Sequence, residues 1–79
     1  MITITLIGTP TCRRYKKMLE TVRDTANGLS IPHTLHEIND IERLSAYNPL
    51  SLPRLIINEQ LVASQNPPSV AKITDWLQL

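Results

Sequence analysis

The chain has 79 residues, 8 Lys and Arg against 7 Asp and Glu, a formal net charge of +1 and one cysteine. A chain this short holds one core and buries about 60% of its unfolded surface, so regular elements and close packing must supply its stability. The near-neutral charge argues against a nucleic-acid or anionic-membrane surface, the ordinary apolar fraction against disorder, and the lone cysteine against a disulfide-stapled secreted mini-protein.

The opening "ITITLI" alternates threonine with isoleucine or leucine, which predicts a strand over residues 2–7 and not a signal peptide. No apolar run approaches the roughly 18 residues of a membrane span, and a cytoplasmic location is expected. Gly8-Thr9-Pro10-Thr11 is a turn cluster that ends the strand. Tyr15, Met18, Leu19, Val22 and Ala26 then recur at helical spacing, and Asn27-Gly28 supplies a stop. The charged residues Arg13, Arg14, Lys16 and Lys17 fall mainly on the other faces.

After Pro32, "HTLHEI" alternates again, with His33, Leu35 and Glu37 on one face and Thr34, His36 and Ile38 on the other. Strand, helix and strand in this order imply a right-handed crossover with the two strands parallel. "NDIERLSAYN" predicts a short helix capped by Asn39 or Asp40, with Ile41, Leu44 and Tyr47 inward and Pro49 as its end. "PRLIINEQLVAS" predicts an antiparallel hairpin over 54–57 and 61–63, turning around Asn58-Glu59-Gln60. Ser69 caps a last helix whose buried stripe is Val70, Ile73, Trp76 and Leu77. The order β-α-β-α-β-β-α gives an α/β fold: a four-stranded mixed sheet with helices on both faces, in a single domain spanning residues 1–79.

Cys12 falls at the turn between the first strand and the first helix. Free N–H groups and the positive end of the dipole gather there, and Arg13 and Arg14 add charge in the first turn. Together these favour the thiolate, the nucleophilic form of cysteine. A small buried hydrophobe is the bland alternative, and the turn and the basic flank weigh against it. Tyr15 lies one helical turn on, on the same face as Cys12. Its hydroxyl either donates to the sulfur or tips the first apolar residue of the stripe. His33 and His36, on opposite strand faces and away from Cys12, make no recognisable ligand set, so no metal is expected. The basic run 13–17 has no aromatic platform beside it and reads as a solvated helix face.

A cysteine at the first strand-to-helix turn, within this order of elements, resembles the thioredoxin/glutaredoxin superfamily. "TPTC" is similar to the active-site turn of glutaredoxins. "DIERLSAYNPLSLPRLIINEQLVAS" is similar to the second half of small single-domain prokaryotic thioredoxin-like redox proteins. The resemblance implies a thioredoxin-like fold, Cys12 as the nucleophile, and Thr11, Arg13, Arg14 and Tyr15 around it. It also implies that Pro53 matches the family's cis-proline and that Leu52 and Pro53 present backbone to a partner.

The family motif is C-x-x-C, and here Tyr15 stands at the second cysteine, leaving a monothiol C-x-x-Y. Ala63-Ser64-Gln65-Asn66 stands where glutaredoxins have a glycine pair and an acidic cap for glutathione. The implied function is a monothiol thiol–disulfide redox protein that forms mixed disulfides through Cys12, with no cofactor. Its partners would be protein thiols or disulfides, or a small thiol such as glutathione, and neither nucleic acid nor membrane. A monomer is expected, although two Cys12 thiols can link two chains. The alternative is a non-catalytic binding module that kept the fold and lost the resolving cysteine.

Overall fold

The computed structural model describes residues 2–78. Strand β1 (Ile2–Ile7) leads into helix α1 (Arg13–Gly28), then strand β2 (His33–Ile38), helix α2 (Ile41–Leu44), strands β3 (Arg54–Ile57) and β4 (Gln60–Ser64), and helix α3 (Val70–Gln78). The sheet order is β2-β1-β3-β4. β1 pairs in parallel with β2 and antiparallel with β3, and β3 pairs antiparallel with β4. The mixed α/β sheet expected from the sequence is the one found.

Alternation decides which residues meet. In register, Ile4 faces Ile57 and Leu6 faces Leu55, so these four side chains share one face. Tyr15, Met18, Val22 and Ala26 of α1 and Ile73 and Leu77 of α3 close over them as one buried cluster. Full burial of such side chains contributes about 1.5–3 kcal/mol each, which makes this layer the main source of stability. Ile7 points to the opposite face by alternation and is also buried. No helix among the described residues is long and apolar enough to cross a membrane.

Several boundaries fall differently from the sequence expectation. Gly28 lies inside α1, and the left-handed position falls on Ser30, at φ 54°. Ser30 N–H donates to Asn27 O at 3.1 Å and Ile31 N–H to Ala26 O at 3.3 Å, the paired closure of a Schellman motif. Asp40, and not Asn39, caps α2 by accepting from Arg43 N–H. Ile41 is 85% exposed instead of inward, because α2 is barely one turn long and has no apolar stripe to bury. Asn48 caps a 3-10 turn over Pro49–Ser51, so Pro49 starts a segment there.

The hairpin turn is two residues, Asn58 and Glu59, both at positive φ, and β4 begins already at Gln60. Between Leu55↔Ala63 and Ile56↔Leu61 the register shifts, leaving Val62 as the extra residue. Ser69 caps α3 through its Oγ, which accepts from Lys72 N–H at 3.3 Å. Val70 is exposed, since a Cα–Cβ bond at the first helical residue tilts beyond the helix start. Trp76 is half-buried against the cluster.

Gly8 ends β1 where three elements converge. A Cβ added there would lie 2.7 Å from Tyr15 Cδ2 and 3.1 Å from Pro53 Cβ. Gly8→Ala is therefore expected to destabilise the fold by about 1–3 kcal/mol, the usual cost of overpacking. Denaturant unfolding checks this, and an unchanged midpoint would contradict it.

Candidate functional site

Residues 9–12 form the entry to α1. Cys12 N–H donates to Thr9 O at 3.0 Å, closing a turn with Pro10 at its second position, where a fixed φ suits the chain reversal. Cys12 is then the N-cap of α1, with extended backbone at φ −71° and ψ 132°, and its carbonyl accepts from Lys16 N–H at 3.0 Å. Ser, Thr, Asp or Asn is preferred at this position because a side-chain oxygen accepts from the exposed amides of the first turn. Here sulfur occupies the place and makes no capping hydrogen bond. The thiol is free and half-buried, with one side packed on the core cluster.

Thr11, Arg13 and Arg14 are exposed around it, as are Lys16 and Lys17. No acidic residue stands in the first turn of α1. A helix start favours acids, so Arg13 and Arg14 oppose the dipole and reduce the stability of α1. Local rules broken in this way gather at functional sites.

Tyr15 is 2% exposed, and its ring lies in the core cluster. Its hydroxyl donates to Glu37 Oε1 at 2.6 Å and not to the Cys12 sulfur. Glu37 is available because it faces Leu6 across the sheet, on the face that α1 covers. Its other oxygen lies 3.9 Å from Arg23 Nη2. Burial, then the bond to Glu37 and its charge, push the Tyr15 phenol up to about 12; the Asn39 side chain and Arg23 pull the other way. Glu37 had no place among the site residues expected from the sequence. Its signal was there: a carboxylate in phase with Leu35 on the apolar face of β2.

Pro53 is buried, and the Leu52–Pro53 peptide is cis. Gly8 brings this loop to the head of α1, since the space above its Cα is bounded by Pro53 on one side and Tyr15 on the other. Leu52 is half-buried, and Pro53 O accepts from Gln65 N–H at 2.9 Å. Loop 48–53 and the head of α1 thus meet at the end of β1, through Gly8. His33 Nδ1 lies 2.8 Å from Ile31 O, and His36 is exposed. No group of His, Cys, Asp or Glu among the described residues is placed to hold a metal ion.

A family model described as a thioredoxin domain matches residues 2–78. No curated protein matches the chain. Among solved structures, the chain is similar to the germline-specific thioredoxin Deadhead (Thioredoxin-1) from Drosophila melanogaster. That match has 19% identity and a TM-score of 0.61, and covers 98% of this chain and 78% of that one.

Two outcomes follow from this geometry. The Tyr15 phenol is held protonated in the folded chain to about pH 12 but ionises near 10 when unfolded, so its share of stability is complete below pH 10 and is lost between 10 and 12. Tyr15→Phe should flatten that loss and cost about 1 kcal/mol at neutral pH, the net value of one hydrogen bond; pH-dependent denaturation measures both. Arg13→Glu should raise stability by about 0.3–1 kcal/mol by complementing the dipole, and a lower unfolding midpoint would contradict that.

Proposed function

The chain belongs to the thioredoxin domain family, and from that membership we propose that it is a monothiol thiol–disulfide redox protein acting through Cys12. The observation that carries this is a half-exposed sulfur at the N-cap of α1, at the end of β1 where loop 48–53 packs. The Cys12 thiolate attacks one sulfur of a partner disulfide. A new S–S bond forms, the old one breaks, and the departing thiolate leaves with the electron pair and takes a proton from solvent. Before attack, an anionic sulfur at the N-cap can accept from the first-turn amides that oxygen caps serve elsewhere. Arg13 and Arg14 lie beside it in the sequence.

Leu52 and Pro53 are the proposed docking residues. An extended partner segment would pair with backbone there and bring its sulfur to Cys12. The chain has no second thiol, so the mixed disulfide is resolved by another molecule's thiol and not within the chain. Tyr15 supports the site from beneath, through its ring and its bond to Glu37. Protein disulfides and small disulfides such as oxidised glutathione are the proposed partners, in a reducing compartment such as the cytoplasm.

Intact mass after exposure to oxidised glutathione tests the proposal. One glutathione should add to the native chain, none to Cys12→Ser, and excess dithiothreitol should remove it. If the native chain gains no adduct from any disulfide, the redox proposal fails. If Cys12→Ser also retains a captured partner with unchanged affinity, a non-catalytic binding module replaces it.

A further inference from the structure

Loop 48–53 is tied down by side chains to an extent that its length does not require. Asn48 Oδ1 accepts from Leu50 N–H at 3.0 Å, and Asn48 O accepts from both the N–H and the hydroxyl of Ser51, at 2.8 and 2.7 Å. Ser64 of β4 reaches across and donates its hydroxyl to Ser51 O at 2.7 Å. Arg54, the first residue of β3, closes the arrangement. Its Nε donates to Ser51 Oγ at 3.2 Å, and its guanidinium carbon stands 5.0 Å from the centre of the Tyr47 ring.

Arg54 therefore holds both flanks of the loop at once, the ring before it and the serine within it. It is half-buried and takes part in none of the ion pairs among the described residues. A guanidinium stacks on an aromatic face while its N–H groups keep a fixed direction, a combination lysine cannot reproduce. Leu52 and the cis peptide follow directly on Ser51, so whatever fixes Ser51 fixes the backbone that packs at Gly8, at the head of α1.

We propose that Arg54 is a positioning residue, which pre-orders loop 48–53 for an extended peptide partner and not for a small disulfide. This rests on the assignment of Cys12 as the attacking thiol. A loop already ordered spares a docking peptide the entropy of ordering it, so the gain appears in peptide binding and not in the exchange step. A small disulfide that needs only the sulfur gains nothing.

The test uses two probes with one leaving group: a cysteinyl decapeptide activated as its 2-pyridyl disulfide, and 2-hydroxyethyl 2-pyridyl disulfide. Release of thiopyridone is followed with the full chain, Arg54→Met, Arg54→Lys and Ser51→Ala. The native chain should saturate with the peptide and not with the small probe. Arg54→Met should raise the half-saturating peptide concentration about tenfold, equivalent to one ordering cost of about 1.4 kcal/mol, while the small-probe rate changes by less than about twofold.

Arg54→Lys should lie between Arg54→Met and the native chain, and Ser51→Ala should shift in the same direction. Ser51→Ala decides the matter if Arg54→Met does not fold. Equal losses on both probes, or no shift with the peptide, would overturn the positioning role while leaving Cys12 as the nucleophile. No thiopyridone from either probe with the native chain would instead remove the Cys12 assignment, and this proposal with it.

Discussion

The approach of Tyr15 and Pro53 to the bare Cα of Gly8 is the contact on which the rest of this molecule turns. β1 ends just before it, α1 starts five residues after it, and the loop before β3 closes against the same point. A side chain on residue 8 would push either the ring or the proline away. In both cases the head of α1 would part from loop 48–53. The proposed role of the sulfur at the helix start rests on the closeness of those two segments.

Tyr15 also shows how a polar group is carried into such a junction. The ring belongs to the core, but a buried phenol needs a partner, and an unpaired hydroxyl would cost about 1–3 kcal/mol. β2 supplies Glu37 at the sheet edge, where its carboxylate is part-exposed and keeps contact with Arg23. The bond therefore runs from core to rim, satisfying the hydroxyl without burying a charge. It also ties α1 to the edge strand, alongside the Arg23–Glu37 ion pair.

Much of this was legible in the chain. The alternation of "ITITLI" and "HTLHEI", and the stripe Tyr15-Met18-Val22-Ala26, follow from burial on one face, and burial is what periodicity records. The N-cap place of Cys12 was also legible, because a turn cluster and a helical stripe bracket it. What failed was local. Ile41 and Val70 carry the right side chains but sit where a helix has no partner to cover them. Ser30 took the left-handed position from Gly28 because the closure is set by Ile31 reaching back to the core. The direction of the Tyr15 hydroxyl and the tie from Ser64 to Ser51 depend on residues 22 and 13 positions away, which no local pattern encodes.

Tyr15 stands one helical turn after Cys12, where the proposed chemistry would have used a second thiol. A thiol one turn after Cys12 would serve exchange chemistry but fill little space below Gly8. A tyrosine fills that space and joins α1 to β2 through Glu37. Under the proposed exchange chemistry, an adduct at Cys12 would last until a second molecule's thiol arrives. In that proposal the chain does not complete a reductase cycle by itself, and its output depends on how well the first partner is held. The ordering of loop 48–53 and the basic first turn, kept against the dipole, are features that make sense when partner retention limits the outcome.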